Sequence, residues 1–206
     1  TSYVLIGAGL SSSAAVETLI GTILSGLYNE MSVSAIEIAM IGQYAENVYF
    51  GKPCGLMDQM ACSVGNLVHI DFENPKDPKV EKLDFNMSEN GYSLCITDTK
   101  GSHADLTDEY AAVPQEMKAV ANYFGKDVLR DVTYADVIKE IATLRKTLGD
   151  RSVLRAVHFL CENERVVKEV NALKWGDMNL FLDNVKESGD SSFKYLQNVY
   201  TNHDVQ

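Results

Sequence analysis

The chain has 206 residues, 46% of them apolar and 23% charged, and this composition excludes disordered and collagen-like proteins. Its 18 Lys and Arg against 29 Asp and Glu give a net charge of −11, which repels nucleic acid and anionic membranes. Apolar stretches are too short to span a bilayer. We therefore expect a cytoplasmic protein with four reduced cysteines that binds neither nucleic acid nor membrane; the sequence leaves its oligomeric state open.

The first half of the chain has the pattern of a mixed α/β structure. An apolar run over Tyr3–Ile6 predicts a buried strand, and a Gly/Ser-rich turn follows it. The helix periodicity predicts helices over 12–28 and 34–50, the second beginning at a capping box of Ser34 and Glu37. Ala14, Ala15, Leu19, Ile23, Leu24 and Leu27 form the predicted apolar stripe of the first helix. β-Branched and aromatic residues predict three more strands, over 67–72, 80–85 and 92–97.

The second half has the periodicity of helices almost to its end. Five are predicted, over 108–124, 134–144, 152–173, 178–188 and 192–200. A boundary near residue 100 is therefore predicted between a mixed α/β part and a helical part.

The strongest local motif lies between the first predicted strand and helix. It consists of Gly7, Ala8, Gly9, Leu10, Ser11, Ser12 and Ser13. Glycines let a backbone approach an anion, the N–H groups and dipole of a helix start favour phosphate, and hydroxyls add donors or an oxygen ligand for Mg²⁺. By itself a Gly-x-Gly motif is more typical of an ordinary glycine turn with a serine cap than of a phosphate site.

Two acidic residues follow in distinctive surroundings. Glu46 lies in Ala-Glu-Asn on the second predicted helix, and Asp58 lies in Cys-Gly-Leu-Met-Asp-Gln after a glycine turn. A carboxylate beside such a turn can act as a general base, and one on a neighbouring helix can hold Mg²⁺. Each acid alone is also consistent with a solvated surface group or a helix cap.

Taken together, the serine loop, Gly-Gln-Tyr-Ala-Glu-Asn over 42–47 and Pro-Cys-Gly-Leu-Met-Asp-Gln over 53–59 closely resemble the galactokinase branch of the GHMP small-molecule kinases. The stretch ending in Tyr110 and the Arg-Ala-x-His-x-x-x-Glu element over 155–162 are also similar. The resemblance implies a GHMP kinase-like α+β fold, with residues 1–90 in the N-terminal ATP-binding domain and 91–206 in the helical part of the C-terminal domain.

The resemblance also implies roles for individual residues. Residues 7–13 correspond to the loop that binds the phosphates of ATP, Ser13 and Glu46 to the Mg²⁺ ligands, and Asp58 to the catalytic base that also contacts the sugar. Tyr110 corresponds to a second sugar contact. The implied reaction transfers the γ-phosphoryl group of ATP to the anomeric hydroxyl of galactose or a related hexose.

Three departures from the family pattern qualify this interpretation. The family's N-terminal Gly-Arg-x-Asn segment and C-terminal glycine loop are absent, so we expect a central fragment that is inactive alone. The stretch Thr97–His103 also differs from the family, which leaves a kinase for N-acetylgalactosamine or another hexose as an alternative. A catalytically silent sugar and ATP sensor is a third possibility, which the intact Ser11, Ser12 and Ser13 disfavour. For Arg155 and His158 we expect structural roles, and for Cys54 packing of the turn before Asp58.

Overall fold

The computed structural model describes Val4 and residues 10–51, 54–97 and 107–200. The chain divides into two compact units, Thr1–Asp98 and Thr99–Gln206. No helix in the described ranges is both long enough and apolar enough to cross a membrane. The strand predicted over Tyr3–Ile6 falls outside these ranges except for Val4, which is exposed.

The first unit contains helices followed by a β-hairpin. Its elements are α1 (Ser12–Tyr28), α2 (Ala35–Tyr44), a one-turn π-helix (Ala45–Tyr49), α3 (Met57–Val64), β1 (Leu67–Asp71) and β2 (Lys79–Leu83). The two strands are antiparallel, with Leu67 opposite Leu83 and Asp71 opposite Lys79. The predicted bounds of α1 are confirmed, and so is the capping box of α2, in which the Ser34 and Glu37 side chains each accept from the other's backbone N–H.

Small residues and a short apolar core hold this unit together. Gly21 on α1 allows close packing against α2, since a Cβ there would lie 2.8 Å from Ile38 Cγ2. Ala39, Leu56 and Met60 form the buried core between α2 and α3. The start of α3 is therefore fixed against α2 by apolar contacts, and Asp58 lies on this turn.

Most of the predicted apolar stripe of α1 is not buried within this unit. Ala14 is 1% exposed, whereas Leu19, Ile23, Leu24 and Leu27 are between 47% and 69% exposed. The helical period places these side chains on a coherent face, but a face is buried only where another element covers it.

Two predictions for the first unit are wrong in detail, and one helix has no counterpart among the predictions. Residues 92–97 form no strand: Leu94 is 88% exposed, and no strand in the described part of the chain pairs with this stretch. The second helix is not α-helical through residue 50, because it changes to the π-helix at Ala45. Helix α3 was not predicted, since its eight residues follow a Gly-rich turn and mix polar with apolar side chains.

The second unit is helical. Its elements are α4 (Thr107–Tyr123), a 3₁₀ turn (Leu129–Asp131), α5 (Tyr134–Lys139), α6 (Ile141–Leu148), α7 (Asp150–Trp175), α8 (Met178–Ser191) and a π-helical turn (Ser192–Leu196). The single helix predicted over 134–144 is divided at Glu140, whose backbone leaves helical geometry. The helix predicted over 192–200 ends at Leu196, because Gln197 adopts a left-handed conformation.

Helix α7 is the centre of the second unit and carries a partly buried ionic network. Arg155 is 1% exposed; its Nη1 donates to Glu116 Oε2 at 3.0 Å and its Nε to the Leu196 carbonyl at 3.0 Å. Arg151 also donates to Glu116, from Nη2 at 2.6 Å and from Nε at 2.9 Å. Arg155 therefore joins α7 to α4 and to the terminal π-turn, which agrees with the structural role predicted for it.

His158, one turn later on α7, is also structural. It is 6% exposed, and its Nδ1 lies 2.9 Å from Ser191 Oγ on α8. Burial lowers the pKa of His158, and the nearby Arg165 lowers it further, while Glu162 opposes both by raising it. Glu162 in turn accepts from Arg165 and from Ser188, so the Arg-Ala-x-His-x-x-x-Glu element packs α7 against α8.

Candidate active site

The first contact of the candidate site joins the start of α1 to the start of α3. Ser11 Oγ donates to Asp58 Oδ2 at 2.5 Å, although the two residues are 47 positions apart. Ser11 precedes α1 and adopts a left-handed conformation with φ 50° and ψ 53°. This conformation is uncommon for a residue other than glycine, and here the tertiary contact to Asp58 accompanies it.

The same contact leaves the N-terminus of α1 without a side-chain cap. Ser11 occupies the position whose hydroxyl commonly accepts from the first turn, but its hydroxyl is directed to Asp58 and makes no such bond. The first turn of α1 contains no acidic residue, and Ser13 on it is exposed. Uncapped N–H groups, the helix dipole and nearby hydroxyls make this helix start suitable for binding an anionic group.

Glu46 lies nearby in a very different environment. It stands on the π-helix that follows α2 and is only 4% exposed. Its Oε2 accepts from Gln59 Nε2 at 2.9 Å. Because a buried carboxylate needs hydrogen-bond donors, this contact with α3 stabilises Glu46 where it lies. Gln59 directly follows Asp58, so one turn of α3 contacts both the start of α1 and Glu46.

Cys54 adds a thiol to this cluster. Its Sγ lies 3.6 Å from Gln59 Nε2. Burial raises the pKa of Cys54, and the neighbouring Glu46 carboxylate raises it further. The thiol is therefore kept protonated, which disfavours a nucleophilic role and agrees with the prediction that Cys54 packs the turn.

The turn before α3 is held by amide side chains of the preceding helical segment. Asn47 Oδ1 accepts from the Cys54 N–H at 2.7 Å, and Gln43 Nε2 and Asn47 Nδ2 donate to the Cys54 carbonyl at 3.3 and 3.4 Å. These three bonds fix the backbone four residues before Asp58. They hold the turn before α3 against the end of α2 and the π-helix.

The chain is similar to proteins of one known family. Residues 1–66 match the family model of the GHMP kinases N-terminal domain. The galactokinase of Glaesserella parasuis serovar 5 is 37% identical over 191 residues, which cover 93% of this chain and 48% of that protein. The galactokinase of Streptomyces coelicolor is 35% identical over 173 residues, which cover 83% of this chain and 43% of that protein.

The chain belongs to the galactokinase branch of the GHMP kinases. It spans about half the length of the relatives that it matches. The crystal structure of Lactococcus lactis galactokinase complexed with galactose superposes with a TM-score of 0.66 at 23% identity, over 93% of this chain and 49% of that one. This likeness confirms the predicted GHMP kinase-like α+β fold.

The predicted site residues of this GHMP kinase chain differ in how much the structure describes. Ser11 and Asp58 are in contact, and Glu46 is joined to the residue after Asp58. Leu10 is 46% exposed, and Ser12 and Ser13 begin α1. Gly7, Ala8 and Gly9 lie outside the described residues. Tyr110 belongs to the second unit, on α4, where its side chain is 83% exposed.

Two residues of the cluster were missed in the sequence. Neither Gln59 nor Glu17 of α1 is marked as a site residue by a sequence pattern, yet Gln59 Nε2 lies 3.4 Å from Glu17 Oε2. One signal was available, because Glu17 falls four residues after Ser13, on the same face of a helix. The position of Gln59 was not predictable, since helix α3 was itself not recognised.

Proposed function

We propose that the complete protein transfers the γ-phosphoryl group of ATP to the anomeric hydroxyl of galactose. The observation that carries this proposal is the contact between Ser11 and Asp58, which joins a candidate phosphate-binding helix start to an exposed carboxylate. The relatives are named galactokinases, and the structural neighbour was solved with galactose. Phosphoryl transfer needs mainly positioning and charge neutralisation, which such a site supplies.

In this mechanism Asp58 is the general base. The anomeric oxygen attacks the γ-phosphorus, its proton passes to the Asp58 carboxylate, and the bond from the γ-phosphorus to the bridging oxygen breaks to release ADP. The hydrogen bond from Ser11 restrains the Asp58 side chain. The N–H groups at the start of α1, with the backbone of residues 7–9 and the hydroxyls of Ser12 and Ser13, bind the phosphates.

The donor chemistry fits a magnesium ion held by Ser13 and Glu46. Hydroxyl and carboxylate oxygens are hard ligands, and the described part of the chain contains no group of three or more His, Cys, Asp and Glu that can hold a metal. A site with few protein ligands completed by phosphate oxygens and water is the usual arrangement for Mg²⁺. When bound, Mg²⁺ neutralises charge on the transferring phosphates.

Further parts of the proposal rest on the family resemblance and on composition. We place Tyr110 beside the sugar and assign residues 1–90 and 91–206 to the two GHMP kinase domains. A cytoplasmic location is supported by Cys54, Cys62, Cys95 and Cys161, all of which are free thiols. Intact serines and Asp58 favour an enzyme over a silent sensor.

The test is Asp58→Asn in the complete protein, with ADP release measured over a panel of galactose, N-acetylgalactosamine and glucose. Turnover on galactose should fall by about two orders of magnitude or more while ATP binding is kept. Asp77→Asn is the matched control, because Asp77 is an exposed acid in the β1–β2 connection. Unchanged turnover in Asp58→Asn would remove Asp58 from its role, and a preference for another hexose would reassign the substrate.

A further inference from the structure

Gln59 is a buried amide that joins three helical segments of the first unit. It is 1% exposed and lies in the first turn of α3. Its Nε2 donates to Glu46 Oε2 at 2.9 Å, on the π-helix, and lies 3.4 Å from Glu17 Oε2, on α1. A single amide nitrogen therefore lies between two carboxylates from different elements.

Packing alone gives no reason for an amide at this position. Gln59 Oε1 is buried and has no hydrogen-bond partner among the described residues. An unsatisfied buried oxygen is destabilising, and an apolar side chain of similar length avoids that penalty. Met60, the next residue, shows that methionine is accommodated in this core, since it is 0% exposed. The distinctive property of Gln59 is the N–H group that it directs at Glu46.

Glu17 connects the Gln59 amide to the helix that carries Ser13. It follows Ser13 by four residues on α1, so the two share one face of that helix. By contacting Glu17 and Glu46 together, Gln59 fixes the Glu46 carboxylate relative to the helix that carries Ser13. Gly42 on α2 lies beside this contact, since a Cβ there would be at ordinary van der Waals distance, 3.4 Å from Glu17 Oε2 and 3.5 Å from Gln59 Cγ.

We propose that Gln59 is a positioning residue that holds the Glu46 carboxylate ready to bind Mg²⁺ together with Ser13. The inference rests on the proposed function, in which Glu46 is a metal ligand. Mg²⁺ requires near-ideal octahedral geometry, so a carboxylate that is free to rotate binds it less well. Partners that orient metal ligands typically contribute 10- to 100-fold in metal affinity.

The first experiment compares Gln59→Met with wild type in the complete protein. Two quantities are measured: the affinity for Mn²⁺·ATP by isothermal titration calorimetry, without sugar, and the Mg²⁺ concentration that gives half-maximal turnover. Both should weaken by about 10-fold or more, while the KM for galactose stays within about twofold. An affinity and a Mg²⁺ midpoint equal to those of wild type overturn the proposal.

Gln43→Met is the matched control. It removes an amide of the same length from the neighbouring helix, where Gln43 donates to the Cys54 carbonyl. That carbonyl keeps its bond from Asn47, and no bond to Glu46 is lost. We expect Mn²⁺·ATP affinity close to wild type. An equal loss in Gln43→Met and Gln59→Met contradicts the proposal, because it indicates general loosening of the cluster.

A double-mutant cycle tests whether Gln59 acts through Glu46. Once Glu46→Gln has removed the carboxylate, adding Gln59→Met should weaken Mn²⁺·ATP binding by less than twofold further. Additive losses refute the assigned route. Gln59→Asn is the second variant, because it keeps an amide on a shorter side chain. If neither Gln59→Met nor Gln59→Asn folds, that result also contradicts a positioning role. If wild type does not phosphorylate galactose, the proposed function is refuted instead. The Mn²⁺·ATP affinities of wild type and Gln59→Met still test the role of Gln59 in that case.

Discussion

The ion pairs between Glu116 on α4 and two arginines of α7, of which Arg155 is buried, give a stability prediction. Glu116→Gln removes the charge that Arg151 and Arg155 share. In this variant water can hydrate the Arg151 guanidinium, which is 35% exposed, but it cannot reach the Arg155 guanidinium, which is 1% exposed. Breaking a buried pair from one side costs about 3 to 5 kcal/mol, and we expect about 3 kcal/mol because glutamine retains one acceptor oxygen.

Urea unfolding followed by far-UV circular dichroism measures this loss, because the unit that holds this ion pair is helical. With a slope of about 2 kcal/mol per M, a loss of about 3 kcal/mol lowers the midpoint by about 1.5 M urea. Asp190→Asn is the control, since its pair with Lys194 is exposed on both sides and is worth about 0.5 kcal/mol or less. A midpoint for Glu116→Gln within about 0.3 M of wild type would refute the reasoning.

Three further predictions concern packing, pH and capping. Gly21→Ala should lower the free energy of unfolding by about 1 to 3 kcal/mol in urea, because the added Cβ would meet the stiff Ile38 side chain. Gly189→Ala is the control: it has open space around it and should be neutral or stabilising by up to about 1 kcal/mol. Because burial lowers the pKa of His158, the unfolded state binds the proton first, and the unfolding free energy falls as the pH drops below about 6.5. His158→Gln should remove this pH dependence, which urea midpoints at neutral and mildly acidic pH measure. Ser34→Ala should cost about 1 kcal/mol through loss of the α2 cap, measured as a shift in thermal midpoint, and no shift contradicts the capping assignment.

The exposed face of α1 shows how a correct local prediction can leave burial undetermined. The helix has the predicted bounds, and Leu24 and Leu27 lie on the predicted stripe, yet they are 47% and 69% exposed. Periodicity reports which side chains share a face, because it follows from the helical repeat. Whether that face meets another element is a tertiary property.

Local signals in the sequence were sufficient for several features. The bounds of α1, the Ser34 capping box and the central helix around Arg155 and His158 all depend on contacts within a few turns of one helix. The family motifs likewise marked Ser11, Glu46 and Asp58, and their order along the chain led to the galactokinase branch of the GHMP kinases.

Only the tertiary structure decided how those residues meet. Ser11 and Asp58 are 47 positions apart, and Gln59 reaches Glu46 and Glu17 because α3 packs against α1 and α2. The irregular stretch 92–97 has strand-like residues but no described neighbouring strand, so its composition did not decide its conformation. In each case the conformation depends on whether a partner distant in sequence makes stabilising contacts. A local pattern carries no information about that partner.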